Sequence, residues 1–313
     1  MKKVLLYLCF ILFLTSCSAK VSQTQIALGT VCTIKVEARN ADNVLKKSFE
    51  LISKIEHLIS VNSSESEISQ INQQAGKAPV VVSEETFKLI SYAKQMYYET
   101  EGSFNIAIYP LVKLWSIGTI DERVPLKEEI EKVLPLLDIS QLILEESTNK
   151  VYLKQEGMGI DLGGIGKGYV TDRLVELFNR EKVKSAVIDL GGNIYIYQKE
   201  SKVGIQTPFS DNGQYYTIVK VKDKAVVTSG NYERYFESDG VLYHHIFDAT
   251  TGYPTTSDLL SVTIISDNAT SADVLSTSGF ILGSSKLQAL SNKFKVEIKA
   301  VTTANEYLSF SDT

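Results

Sequence analysis

Apolar residues recur along this chain in two different periods, one helical and one strand-like. Residues 41–60 place Val44, Phe49 and Ile52 on one face of a helical repeat, which predicts an amphipathic helix. Ser83 is a good N-cap residue at the start of a second such repeat. The further helices that the pattern predicts are 83–98, a charged helix over 121–137, 169–178 and 271–282.

Shorter apolar runs bounded by turn residues predict strands between these helices. Residues 142–153 indicate a hairpin with its turn near Ser147–Asn149. Ser60–Gln74 is polar and serine-rich, so we expect a loop or a short helix there. Because helices and strands are mixed and no long linker divides them, the expected fold class is α+β, in one body of at most two lobes. The other predicted strands are 31–36, 186–188, 216–221, 259–265 and 296–301.

The N-terminus has the features of an export signal. Residues 1–16 combine a basic start with an apolar run that is too short to span a bilayer, and the run ends in Leu14-Thr-Ser-Cys17, which resembles a bacterial lipobox. We expect a signal peptide over 1–16, a lipid on Cys17, a polar tether over 17–27 and a folded body over 28–313. The protein would then be exported and anchored to the extracytoplasmic face of a membrane. The alternative is an ordinary signal peptide with an incidental cysteine.

Charge and cysteine content restrict the partners and the disulfides that we expect. The formal net charge is −5 and no basic block occurs, which argues against a nucleic-acid partner. If cleavage precedes Cys17 and a lipid occupies it, Cys32 has no partner. We therefore expect no disulfide, with Cys32 buried in a strand as a small apolar residue.

A glycine-rich turn, Asp161-Leu-Gly-Gly-Ile-Gly-Lys-Gly168, precedes the predicted helix at 169–178. Glycines let the backbone approach a ligand and a helix N-terminus attracts anions, so we expect a phosphate-bearing ligand here. The turn matches neither the P-loop nor the complete dinucleotide-binding glycine pattern. Asp189-Leu-Gly-Gly192 repeats its opening, either by coincidence of strand–turn chemistry or as a second turn that faces the same ligand.

Three other motifs carry candidate chemistry. Asp273 and Thr277 share one helix face and suit a hard cation such as Mg²⁺, although Asp273 also suits a helix N-terminus and Thr277 also suits packing. His245 and Asp248 are three residues apart and suit proton transfer, or else a solvated hairpin end. The aromatic segment 228–236 either holds a planar ring or covers the core.

The order of these motifs resembles the ApbE family, the FAD:protein FMN transferases, over about residues 24–310. The resemblance implies an α+β fold related to the T-fold, with FAD in a cleft between two lobes. It also implies Mg²⁺-dependent cleavage of FAD, transfer of FMN to a Thr or Ser hydroxyl of an acceptor flavoprotein in an extracytoplasmic electron-transfer system, and release of AMP. The motifs are 28–30, 66–69, 102–105, 110–115, 161–168, 189–192, 228–230, 245–254 and 272–277.

The resemblance assigns roles to individual residues. Gly164 would bind the metal through its carbonyl, together with Asp273 and Thr277. His245 would be the base for the acceptor hydroxyl, and Asp248 would orient nearby groups. The residues that would line the FAD site are Thr30, Asn62, Phe104, Asn105, Asp161, Gly163, Lys167, Gly191, Gly192, Thr228, Ser229, Gly230 and Thr250.

The chain departs from the usual family pattern in three of these motifs and at Asn62. Family members usually have Asp where this chain has Asn105, Ala where it has Gly166, and Pro where it has Ala249. Many carry an aromatic residue near Asn62, and a small amide there would leave the pyrophosphate more open to water. Two alternatives to transfer therefore stay open: a Mg²⁺-dependent FAD pyrophosphatase and a non-catalytic FAD-binding lipoprotein.

Overall fold

The computed structural model describes residues 18–210 and 213–312, and within them one antiparallel sheet organises the chain. Its strand order is β1-β2-β6-β7-β10-β13-β14-β15. Because consecutive strands along this order are antiparallel, chain turns gather at both ends of the sheet. The strands are β1 (Ala19–Ala27), β2 (Thr30–Ala38), β3 (Val80–Val81), β4 (Leu142–Glu145), β5 (Lys150–Leu153), β6 (Ser185–Leu190), β7 (Asn193–Tyr197), β8 (Ser201–Gln206), β9 (Tyr215–Val221), β10 (Lys224–Gly230), β11 (Tyr235–Ser238), β12 (Val241–His244), β13 (Leu259–Ser266), β14 (Glu297–Thr302) and β15 (Tyr307–Phe310).

Helices cover one face of this sheet and form the main core with it. Ile34 and Val262 on the strands are fully buried together with Ile52, Val170 and Leu275 on the helices. Burial of each such side chain stabilises the fold by about 1.5–3 kcal/mol. The helices are α1 (Ala41–Ile59), α2 (Glu67–Gln73), α3 (Glu84–Glu99), α4 (Tyr109–Trp115), α5 (Lys127–Val133), α6 (Gly166–Arg180), α7 (Ala269–Leu282) and α8 (Leu287–Phe294).

The opposite face of the sheet is covered only in part. The β8–β9 hairpin packs on its central strands through Val203 and Val221, which bury Ile196, Val226 and Ile265 beneath them. The outer strands β1 and β2 keep exposed side chains there.

A second, smaller core lies beside the sheet. Trp115 is fully buried, packs with tilted rings against Tyr243 and Phe247, and donates its indole N–H to the Gly252 carbonyl at 3.0 Å. This aromatic core joins α4 and α5 to the β11–β12 hairpin. The molecule is therefore an α+β protein with two hydrophobic cores.

Most predicted elements are confirmed. The helices over 41–60, 83–98, 169–178 and 271–282 are present, and the Ser83 hydroxyl accepts the Thr86 N–H as an N-cap. The hairpin at 142–153 forms, and the shorter alternative for 60–74 is right because α2 forms there. The helix predicted over 121–137 is wrong over residues 121–126. Pro125 disfavours a helical Val124, so α5 begins only at Lys127 and ends in a 3₁₀ turn.

The expected tether is also wrong over most of its length. Residues Ala19–Ala27 form β1, whose whole length pairs with β2. An edge strand needs a hydrogen-bonding partner more than an apolar face, so its polar sequence misled the prediction. Cys17 and the signal peptide lie outside the described residues. Within those residues no helix combines the length and apolar character needed to cross a membrane. Cys32 is buried and free, as expected.

Candidate active site

The glycine-rich turn leads directly into α6. The Asp161 carboxylate accepts the Gly163 N–H at 2.6 Å, which tightens the turn. The residue before α6 is Ile165, which has no side-chain oxygen to cap the helix. The Gly166 N–H donates to the Leu162 carbonyl at 2.8 Å and the Gly168 N–H to the Asp273 carboxylate at 2.9 Å. Among the described residues the Lys167 N–H between them has no acceptor, so it remains for an anion such as a phosphate.

Gly168 brings α6 against α7. A Cβ atom at this position would lie 2.3 Å from the Ala269 carbonyl oxygen and 2.8 Å from the Asp273 Cβ. Without that atom, the Gly168 N–H reaches the Asp273 carboxylate at 2.9 Å. This hydrogen bond fixes one Asp273 oxygen at the start of α6, and only 4% of the residue is exposed.

Thr277 lies one turn further along α7 and faces the same turn. A Cβ atom at Gly164 would be 3.7 Å from the Thr277 hydroxyl, so the two residues are close neighbours. The Ser229 hydroxyl lies 3.3 Å from that of Thr277 and 2.8 Å from that of Ser276. The structure thus brings together Gly164, Asp273 and Thr277, the three residues that the family resemblance assigned to a metal, and places the Ser229 and Ser276 hydroxyls beside them.

The second glycine turn lies beside the β1–β2 hairpin. Thr30 packs against Gly191 so closely that a Cβ atom there would lie 2.1 Å from its hydroxyl. Gly192 donates its N–H to the Asp189 carboxylate at 3.0 Å, and a Cβ atom on Gly192 would meet open space. In each glycine turn the aspartate therefore accepts a glycine N–H, from two residues on at Gly163 and from three residues on at Gly192.

The two adjacent histidines have different environments. His244 is buried, donates from Nε2 to the Thr255 carbonyl at 3.1 Å and accepts the Ile246 N–H at Nδ1. His245 bonds through Nδ1 to the Arg234 carbonyl at 3.2 Å. Since a carbonyl only accepts, Nδ1 carries the proton and Nε2 has the free lone pair of a base. Burial lowers the pKa of His245 from 6.5 to about 4, so it is neutral near pH 7.

Charged residues from separate elements act on this histidine. Lys167 and Arg234 both help to lower its pKa, and Arg234 also opposes the rise that burial causes in the pKa of Asp161. Burial raises the pKa of Glu233, and Lys167 and Arg234 again oppose that rise. The site therefore combines two cations, Lys167 and Arg234, with two carboxyl groups. The pKa values of these carboxyl groups, on Asp161 and Glu233, stay raised because the cations only partly offset the effect of burial.

Asp248 lies in the turn after His245 and serves that turn. Its carboxylate accepts both the N–H and the hydroxyl of Thr250, at 2.8 and 2.6 Å. Within the described residues it makes no hydrogen bond to His245. Asp248 and Thr250 therefore hold the turn. The proton-transfer pair that the spacing of His245 and Asp248 suggested is not formed here.

Several residues that the family resemblance assigned to FAD support the site from behind. Phe104 is buried against Gly164, and the Asn105 amide bonds to the Ala107 N–H and the Leu137 carbonyl. Thr228 pairs with the Thr263 hydroxyl, while Gly230 packs against the Tyr232 ring. Asn62 is exposed in the loop after α1, whose last residue packs against Gly166.

Sequence reasoning missed Arg234, Glu233 and Asp172. The first two lie in segment 228–236, whose hydroxyls, glycine and aromatic residues are the features that the sequence analysis interprets. Asp172 accepts the N–H groups of Ala269 and Thr270 at 2.9 and 2.8 Å and so holds the start of α7. Across 18–210 and 213–312, no group of three or more His, Cys, Asp or Glu side chains could hold a metal ion.

Fold and site together define an α+β protein with a glycine-rich turn at a helix N-terminus and a carboxylate–hydroxyl pair beside it. The profile of the ApbE family matches residues 28–302. An FAD:protein FMN transferase from Klebsiella pneumoniae (strain 342) is 39% identical over 265 residues, which are 85% of this chain and 83% of the relative. One from Treponema pallidum (strain Nichols) is 36% identical over 295 residues, 87% of this chain and 82% of that one.

Solved structures agree with these sequence relatives. The ApbE protein from Thermotoga maritima superimposes with a TM-score of 0.86 at 31% identity, over 93% of this chain and 97% of that one. The flavin transferase ApbE from Vibrio cholerae has a TM-score of 0.84 at 24% identity, over 95% and 98%, and shows the fold alone. The chain belongs to the ApbE family. It is a transferase enzyme, as its relatives are.

Proposed function

We propose that the protein transfers FMN from FAD to a Thr or Ser hydroxyl of an acceptor flavoprotein, releases AMP and requires Mg²⁺. The observation that carries this proposal is the contact of the α6 N-terminus with the Asp273–Thr277 face at the glycine turn, together with the action of Lys167 and Arg234 on His245. The relatives that match most of the chain bear the name of this activity.

The site fits the pyrophosphate of FAD. The start of α6 offers the Lys167 N–H, which has no hydrogen-bond partner among the described residues, and Lys167 and Arg234 offer positive charge in the same region. Gly192 leaves open space where other residues would have a side chain. Such a combination of backbone donors and cations is what phosphoryl transfer needs for positioning and charge neutralisation.

The donor set beside this turn fits Mg²⁺. Asp273 is a buried carboxylate with only its Gly168 contact among the described hydrogen bonds, and Thr277 and the Gly164 carbonyl add neutral oxygens. Hard cations take oxygen ligands, and Mg²⁺ commonly uses few protein ligands together with substrate phosphates. When bound there, Mg²⁺ would neutralise charge on the pyrophosphate oxygens.

His245 supplies the proton acceptor. The acceptor hydroxyl loses its proton to Nε2 as its oxygen bonds to the FMN phosphorus, and the bond from that phosphorus to the AMP oxygen breaks. The Arg234 carbonyl holds the ring in the Nδ1-protonated tautomer that this step requires. Lys167 and Arg234 stabilise the negative charge that remains on AMP.

Asn62 supports FAD hydrolysis as a second candidate activity. This small, exposed amide occupies a loop beside the glycine turn, so water has an approach that a large ring would block. In that reaction water replaces the acceptor hydroxyl, and the products are FMN and AMP.

We also propose that the protein is exported and held at the membrane by a lipid on Cys17, at the extracytoplasmic face. The lipobox-like Leu14-Thr-Ser-Cys17 supports this localisation.

Replacement of Asp273 by Asn tests the metal-dependent activity. The variant keeps the side-chain volume but loses the charge, so we expect FAD binding to persist while Mg²⁺-dependent AMP release falls sharply. Isothermal titration with FAD and chromatography of AMP measure the two effects. Asp267→Asn, an exposed change just before α7, is the matched control and should keep full activity. Full activity of Asp273→Asn would refute the metal site.

A further inference from the structure

The open part of the sheet contains a lysine-rich groove far from the glycine turns. It has a volume of about 350 Å³ and is lined by Lys20 on β1, Lys35 on β2 and Lys199 after β7. Ser22 pairs directly with Lys35, which adds a hydroxyl beside the amine. The groove thus offers amines and hydroxyls, which are the groups that bind phosphate.

The charge of this groove contrasts with that of the whole chain, which has a net charge of −5. Its one acid, Glu37, pairs with Lys20 at 3.7 Å and with Lys184. Within the described residues no ion pair engages Lys35 or Lys199, and both are exposed. Positive charge in the groove is therefore available to an anionic surface.

The groove lies at the anchored end of the chain. Two residue steps separate Cys17 from Ala19, so they span at most about 7 Å. Ala19 begins β1 and pairs with Ala38, and Lys20 follows at once. A lipid on Cys17 would therefore bring the bilayer surface next to the groove, with no flexible tether between them.

The active site lies at the other end of the same strand. β1 has nine residues, which span about 30 Å. It ends at the hairpin where the Gly29 carbonyl accepts from Arg234 at 3.4 Å and Thr30 packs on Gly191. Strand β1 therefore sets the separation between the anchor and the site.

We propose that the groove formed by Lys20, Lys35 and Lys199 docks on the anionic phospholipid headgroups of the membrane and holds the active site, at the other end of β1, about 20 Å from them. The inference rests on the proposed lipidation of Cys17. The lipid alone anchors the protein, whereas the lysines fix its orientation, because a chain attached at one point can otherwise tilt freely. An acceptor hydroxyl at a matching height would then meet the site.

Lysine labelling of the mature, full-length lipoprotein tests this docking. The protein is reconstituted in vesicles of phosphatidylglycerol and phosphatidylcholine or of phosphatidylcholine alone, and a membrane-impermeant amine reagent is followed by mass spectrometry. We expect Lys35 and Lys199 to react about fivefold more slowly on the anionic vesicles. Because salt screens charge, about 0.5 M salt should remove the difference. Lys77 and Lys286, which lie outside the groove, should react equally on both.

Charge reversal gives the matched comparison. The double variant Lys35→Glu with Lys199→Glu should lose the protection of Lys20 on anionic vesicles, whereas Lys77→Glu with Lys286→Glu should keep it. Both should retain the turnover of soluble FAD. Equal labelling on both vesicle types, or protection that needs an added acceptor protein, would overturn the inference. Absence of lipid from Cys17 by mass spectrometry would refute the proposed localisation and this inference with it.

Discussion

Gly168 illustrates how a single missing Cβ atom determines the geometry of the site. Its neighbour two residues earlier, Gly166, would place a Cβ atom 3.0 Å from the flexible end of Ile59, not against backbone. The two glycines are in the same helical turn, so they make a controlled comparison.

We therefore predict opposite outcomes for alanine at these positions. Gly168→Ala should force α6 and α7 apart, cost about 1–3 kcal/mol of unfolding free energy and abolish Mg²⁺-dependent AMP release. Gly166→Ala should be neutral or stabilise by up to about 1 kcal/mol, with activity retained. Denaturant unfolding and AMP chromatography measure both. Equal behaviour of the two variants would contradict the close approach at Gly168.

His245 should determine the acidic limb of the pH profile of kcat/KM for the transfer reaction. Its pKa is lowered to about 4, so protonation removes the base only when the pH falls far below 6.5. We expect kcat/KM for the acceptor to stay level from pH 7 to about 5 and to decline towards pH 4. His245→Ala should lose this limb and reduce transfer by about 10²–10⁴-fold while FAD still binds.

The same shift has a consequence for stability. The unfolded chain binds this proton at a higher pH than the folded chain, so the unfolding free energy decreases as the pH falls from 6.5 towards 4. A decline of kcat/KM centred near pH 6.5 would show that His245 is not held as described.

At the scale of elements, the position of α7 matters most, because this helix carries Asp273 and Thr277. Asp172 on α6 uses both carboxylate oxygens to hold the first N–H groups of α7. Asn268 caps the same end by accepting the Ser271 N–H at 2.6 Å. The start of α7 is thus tied to α6 twice, through Asp172 and through the Gly168–Asp273 bond.

Asp172→Asn should loosen this attachment. An amide has only one acceptor oxygen, so at least one N–H at the α7 terminus loses its partner, at a cost of about 1–3 kcal/mol. We expect a higher Mg²⁺ concentration for half-maximal AMP release, because the Asp273 side chain is held less firmly. Asp267→Asn, again the exposed control, should change the unfolding free energy by less than about 0.5 kcal/mol. Unchanged Mg²⁺ dependence in Asp172→Asn would mean that α7 is positioned by other contacts.

Elements with a strong apolar period were predictable from the sequence, and those governed by tertiary context were not. Helix α1 repeats its apolar residues clearly and was predicted almost to its ends. The polar sequence of β1 predicts a tether, whereas its stability as a strand comes from pairing with β2, which no local pattern reveals. The helix expected over 121–137 begins only at Lys127 because Pro125 disfavours a helical Val124. The charge content on which the prediction rests does not reveal this effect.

At the scale of the whole molecule, the site draws on residues that are far apart in sequence. Local chemistry drew attention to the glycine-rich turn and to the Asp273–Thr277 face, whereas the roles of Gly164 and His245 came from the family resemblance. Arg234 was not, since its role depends on reaching the Gly29 carbonyl and the region of Asp161. The different roles of His244 and His245 likewise follow only from the backbone groups that fold against them.

The most direct test of the proposed transfer follows AMP and flavin with and without an acceptor. The protein is incubated with FAD and Mg²⁺, and an acceptor flavoprotein domain is added to one half of the sample. We predict AMP release that depends on the acceptor and is matched by flavin bound covalently to it. Rapid AMP and free FMN without the acceptor would favour hydrolysis, and FAD left unchanged in both halves would contradict catalysis by this site.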